Sequence, residues 1–257
     1  MKDEIQNIVS YGGEKEQWSV IGNVLHEGAR AWNISKNRLL LIWLIPIVIA
    51  LGGVVTALLG KEAYKWYTGE DRFAENIQVL LYLGAFVFAF IVFRQLLKMG
   101  ERVLSVLYLV ALLGLFFLIG EELSWGQRIF NWETPESFQE INKQGETTLH
   151  NIPEVEAAFK WIQMLVGTYG TVLPLLLIGV GFFRRNQKFF SYIIPHYSLM
   201  PFFLPMFAWR FYRNIFEVPA KYYFVVSEFN EVIEFILAAG TFLFMFYQFR
   251  NLRKLRN

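Results

Sequence analysis

Six stretches of this chain run 15 to 23 residues without a formal charge, and a bundle of membrane-spanning helices is the fold that accommodates six of them. They are Leu39–Gly60, Ile77–Phe93, Val103–Gly120, Trp161–Phe183, Phe189–Trp209 and Phe235–Phe249. At 1.5 Å per residue, roughly 20 residues cross a ~30 Å hydrocarbon core. The shorter runs reach that length by including flanking cations such as Arg94 and Lys98, whose stems snorkel to the interface. With 55% hydrophobic and 18% aromatic residues over 257 positions, the chain is too apolar for an ordinary soluble domain. The expected fold is an all-α integral membrane protein, a six-transmembrane-helix bundle with an N-terminal cytoplasmic amphipathic helix. Residues 1–38 form the N-terminal segment and 39–257 the transmembrane domain. Spans are expected near 39–60, 77–98, 103–122, 161–183, 189–209 and 222–249, with a long outer loop at 124–160.

Charge orients this bundle. Six spans put both termini on one side, and 15 of the 24 Lys and Arg fall there against 9 opposite; acidic residues divide 6 to 16 the other way. Positive charge marks the cytoplasmic side, so both termini are expected in the cytoplasm of a cell inner or plasma membrane. In the N-terminal segment, Trp18, Ile21, Leu25, Ala29 and Trp32 recur at helical spacing. That stripe suits either a helix lying on the inner leaflet or one packed on the bundle's end. No cleaved signal peptide, repeat or nucleotide-binding fingerprint is recognisable, and the absence of cysteine excludes disulfides and thiolate chemistry.

The unexpected polar residues gather at one level. "IGEELSWGQR" (119–128) runs from an apolar span directly into Glu121 and Glu122, with Arg128 one or two turns on. A wet helix end and one wall of a site both fit it. "VVSEFNEVIEF" places Glu228, Asn230, Glu231 and Glu234 near the outer start of the last span, the three glutamates on one helical face. Carboxylates inside a membrane are costly and seek partners within the bundle. Arg210 and Arg213 arrive at the same boundary from the fifth span and are available to pair with them or to bind an anion. His150 stands in the outer loop and is a candidate general base or metal ligand. His196, beside Pro195, reads as a hydrogen-bonded core residue at a kink.

The favoured functional reading is a membrane-embedded enzyme acting at the outer leaflet on a lipid or lipid-linked anionic substrate. Glu121, Glu122, Glu231, Glu234 and His150 are its candidate catalytic residues. Arg128, Arg210, Arg213, Glu228 and Asn230 are its candidate substrate-binding residues. The carboxylates leave a divalent metal open as a cofactor. The alternatives are a proton- or cation-coupled transporter or channel, and a non-catalytic scaffold subunit. Membrane lipids are the expected partners and nucleic acid is not. Reaction type, metal and oligomeric state stay open.

Overall fold

The computed structural model describes residues 20–142, 145, 147–149 and 151–254, and the elements among them are helical. Residues to Leu41 form one compact unit and those from Ile42 the other. In the first, α1 (Val20–Trp32) carries the later part of the amphipathic stripe, with Ala29 and Trp32 buried; Trp18 and the side chain of Ile21 lie outside the described residues. Asn33, in a left-handed conformation (φ 51°), ends the helix. Ser35 Oγ then accepts from the Arg38 N–H (3.4 Å), as expected of a serine just ahead of a helix start.

Five helical segments are long and apolar enough to cross a membrane: Lys36–Leu59, Lys61–Lys98, Arg102–Glu122, Pro153–Ile178 and Ala220–Leu252. The protein is therefore a helical, membrane-embedded one. The first segment is α2 (Lys36–Leu59). The second contains a short α3 (Lys61–Thr68) and a long α4 (Phe73–Lys98), and the third is α5 (Arg102–Glu122). After α5, short helices α6 (Gln127–Phe130) and α7 (Glu136–Ile141) interrupt the long loop. The fourth segment is α8 (Pro153–Gly179), which begins at Pro153, a residue suited to a first helical position, with Glu154 and Glu156 in its first turn.

The expected fifth span, 189–209, is not one helix. After α9 (Gly181–Arg185), α10 (Gln187–Ile193) stops ahead of Pro195. A 3₁₀ turn at Tyr197–Leu199 then leads into α11 (Met200–Ile215). Proline lacks the N–H that would continue α10 and forces Ile194 into an extended conformation (φ −103°, ψ 128°). His196 Nδ1 accepts from the Ser198 N–H (3.2 Å) across this break, and Trp43 Nε1 donates to the Ser198 carbonyl (2.8 Å). At 16 residues α11 is about 24 Å long. The last segment follows as α12 (Tyr223–Lys254).

The long helices assemble around α12. Two thirds of its most apolar window is buried (67%), against 22–33% in the other four segments. On one side α4 runs parallel to it, with Phe88 meeting Phe242, Phe246 and Phe249 at ring-centroid distances of 5.2–5.7 Å. On the other side α11 runs antiparallel, so close at Gly240 that a Cβ there would lie 2.6 Å from Phe202 Cβ. The α4–α5 hairpin and the α8–α11 pair thus flank α12 as two wings. Phe117 of α5 stacks on Phe159 of α8 across the gap between them, with centroids 6.0 Å apart.

Candidate functional site

The polar residues of α12 lie on its first turns, ahead of the buried apolar stretch that follows. Glu228, Glu231 and Glu234 are three residues apart, so they share one face. That face looks into a cavity of about 920 Å³ at the end of the bundle that carries the long loop. Its size falls within the range of small-molecule sites. Nine glutamates and five lysines or arginines line it, a mixed but net acidic wall.

The deepest network centres on Glu234. Its Oε1 accepts from Gln163 Nε2 of α8 (2.8 Å) and from Asn230 Nδ2, and it pairs with Arg210 Nη2 of α11 at 3.6 Å. Arg210 Nε also donates to Gln163 Oε1 (2.6 Å). Arg210 is 5% exposed. A cation this buried needs an opposite charge and several acceptors to offset its lost hydration, and it has both. Three helices are tied together at this point.

Glu231 is held differently. Gln78 of α4, fully buried, donates to its Oε2 at a long 3.5 Å and to its backbone carbonyl at 3.4 Å. Glu75, Glu122 and Glu234 are the carboxylates within electrostatic reach of it. Nearer the mouth, Thr68 Oγ1 donates to Glu228 Oε2 (3.1 Å), and Tyr64 Oη to the Val225 carbonyl (2.7 Å), which fastens α3 to the start of α12.

The "EELSWGQR" stretch divides its labour. Glu122 lines the cavity. Glu121, 3% exposed, gives each carboxylate oxygen to the loop: Oε1 accepts from Trp125 Nε1 (2.6 Å), Oε2 from the Leu149 N–H (2.8 Å). Ser124, Trp125 and Gly126 follow in three successive left-handed conformations (φ 47°, 52° and 89°). For the two non-glycine residues that conformation costs on the order of 1–2 kcal/mol each. It folds the Trp125 ring back over Gly120, where a Cβ would lie 2.9 Å from the ring. Strain of this kind persists where surrounding contacts over-determine it, and it clusters near functional sites.

The long loop is a hydrogen-bonded cap. Gln127 donates to Thr134 Oγ1 (2.7 Å) and accepts from the Thr147 N–H (3.0 Å). Asn142 donates to the Thr148 carbonyl (2.7 Å), and Asn151 to Thr148 Oγ1 (3.0 Å). Thr134, Asn142 and Thr148 are buried, and the amides of Asn142 and Asn151 serve as internal ties.

Of the residues singled out from sequence, Glu121, Glu122, Arg210, Arg213, Glu228, Asn230, Glu231 and Glu234 all line this one cavity. His150 and the side chain of Arg128 lie outside the described residues. Sequence reasoning missed α3, whose Lys65, Trp66 and Thr68 form part of the wall, together with Arg72 and Glu75 beyond it. It also missed Gln163 and Gln78. Each is a lone amide in an otherwise apolar run, the signal that would have found it. Among the described residues no group of three or more His, Asp or Glu is arranged to hold a metal ion. No protein-family model, curated protein or solved structure matches the chain, so the site's own geometry carries the functional reading.

Proposed function

We propose that the protein is a membrane-embedded enzyme that acts on a lipid or lipid-linked anionic substrate at the face bearing the long loop. In this reading the chain crosses the membrane six times, with α10 and α11 together making the fifth passage. Both termini are cytoplasmic and the cavity serves the outer leaflet. The observation that carries the reading is the convergence of carboxylates from α4, α5 and α12 on one cavity, beside α12 residues that pack tightly below it.

The roles follow from how each carboxylate is held. Glu231, loosely held and surrounded by other carboxylates, and Glu122, on the cavity wall, are the proposed acid and base. Glu234 is fixed by Arg210, Gln163 and Asn230 and sets the field at Glu231. Glu121, with both oxygens accepting hydrogen bonds from the loop, positions the cap. A carrier would need a polar path below Glu234. There the polar side chain of Gln248 is buried and donates to the Ser191 carbonyl (2.7 Å), so it ties helices together.

Untargeted lipid mass spectrometry of membranes from cells producing equal amounts of wild type or Glu231→Gln tests the reading. Wild type should change the level of a lipid or lipid-linked species, and the variant should match cells without the protein. Identical profiles for wild type and Glu231→Gln would remove the enzyme reading.

A further inference from the structure

Three atoms on the α11–α12 side of the cavity are buried without a hydrogen-bond partner among the described residues: Trp209 Nε1, Arg213 Nη1 and Asn230 Oδ1. All three residues line the cavity. Buried polar groups are nearly always paired, and leaving one unpaired costs about 1–3 kcal/mol, more for a charged group. Three such atoms on one wall indicate groups that a ligand completes.

Their chemistry says what kind of ligand. An indole N–H can only donate, and a guanidinium donates and stays charged. Trp209 and Arg213 are four residues apart on α11, so they lie on the same face, one turn from each other. Arg210, between them, is already engaged by Gln163 and Glu234. Among the described residues Arg213 has no such carboxylate partner; its guanidinium carbon lies 5.8 Å from the centroid of Tyr223, over the ring face. Lys160, another cation of the cavity, is paired with Glu156 at 2.6 Å. The α11 wall therefore carries two unpaired donors, one of them charged, beside a cavity whose other walls are rich in carboxylates. An anionic group entering such a space is repelled by those carboxylates and has this wall to settle on. Asn230 Oδ1, which accepts, asks for a hydroxyl or amine next to that anion.

We propose that Trp209 and Arg213 form a phosphate subsite. It takes a phosphoester whose neighbouring hydroxyl or amine meets Asn230, and it holds the ester within reach of Glu231. That the phosphoester belongs to a lipid rests on the function proposed above; the subsite itself rests on the unpaired donors. A tetrahedral phosphate offers several acceptor oxygens to two donors at once, and bonds from a guanidinium to it are charge-assisted.

The test uses the full chain in maltoside micelles, which contain no phosphate. Phosphatidic acid, diacylglycerol or inorganic phosphate is added, and lipid retention is read by native mass spectrometry beside the thermal unfolding midpoint. The expected result is retention of phosphatidic acid but not diacylglycerol by wild type. Arg213→Gln should weaken it roughly tenfold, and Trp209→Phe, which keeps the ring and removes the N–H, a few-fold. Arg213→Lys, which keeps the charge and loses the fork, should fall between wild type and Arg213→Gln, and it guards against misfolding of the harsher variant. Equal retention by wild type, Arg213→Gln and Trp209→Phe would overturn the subsite, as would wild-type retention of diacylglycerol equal to that of phosphatidic acid. If inorganic phosphate raises the midpoint as much as phosphatidic acid does, the lipid source is overturned. Arg213-dependent retention together with unchanged lipid profiles in Glu231→Gln cells would remove the enzyme reading and leave the subsite standing.

Discussion

Residues 223–234 and 235–254 belong to one continuous helix, α12, yet they build opposite environments. In the first stretch Tyr223, Phe224 and Val225 are exposed, and Glu228, Asn230, Glu231 and Glu234 face a cavity. In the second, Ile236, Ala238, Phe244 and Gln248 are buried, and Gly240 lets α11 approach to contact distance. The backbone is the same; the difference lies in the reach of the side chains. Arg210, Gln163 and Glu234 join their helices through polar side chains that need hydrogen-bond partners and space to meet. Alanine and glycine let the backbones close, and aromatic rings from α4 fill what remains. A cavity at one end and a seal at the other are therefore two outcomes of one helix's sequence.

Breaking the polar end should have the largest effect. Arg210→Ala leaves the half-buried Glu234 beside two amides with no countercharge, a loss of about 3 kcal/mol, the low end for a buried pair. Thermal unfolding in micelles should show the midpoint fall steeply, and the double change Arg210→Met with Glu234→Met should recover most of it. A single variant as stable as wild type would mean the pair does not hold the helices.

Loosening the cap should cost less and act locally. Glu121→Gln replaces a carboxylate oxygen that accepts a hydrogen bond with an amide that donates, a loss of roughly 1.5–3 kcal/mol in the loop's opening free energy. Limited proteolysis between 136 and 149 should accelerate while the global unfolding midpoint moves little. An unchanged cleavage rate would contradict the latch.

The sealed end should register the smallest change that is still measurable. Gly240→Ala places a methyl 2.6 Å from Phe202 Cβ and should destabilise by about 1–2 kcal/mol. Ser227→Ala, on the exposed cavity wall, should stay within about 0.5 kcal/mol. Equal costs at the two positions would erase the contrast between the halves.

Much of this contrast was legible in the chain. A glutamate in an apolar run has few places to go, so Glu231 and Glu234 pointed to the polar cavity, and three small residues in succession, Ala238, Ala239 and Gly240, permit the close packing below it. The break in the fifth apolar run was less legible. Pro195 stands in that run, but a proline is compatible with a kinked continuous helix, and the turn at Tyr197–Leu199 depends on the His196–Ser198 and Trp43–Ser198 bonds. The engagement of Glu121 was not legible. It rests on a backbone N–H 28 residues away and on left-handed turns at Ser124 and Trp125, neither a residue type that advertises that conformation. α3 was hidden for a related reason: its Tyr64, Tyr67 and Thr68 are buried, but in a helix of eight residues that pattern is too short to stand out.

The central claim, that the cavity ends at Glu234 and does not continue through the bundle, is tested most directly by cysteine scanning along residues 227–249 in this naturally cysteine-free chain. A membrane-impermeant thiol reagent applied from the loop-bearing side should label cysteines at 227 and 228. Applied from the opposite side, it should label none between 235 and 245, where Ile236, Ala238, Ala239 and Phe244 are packed. Labelling from that opposite side up to residue 238 would contradict the closed cavity and make the carboxylates part of a transport path.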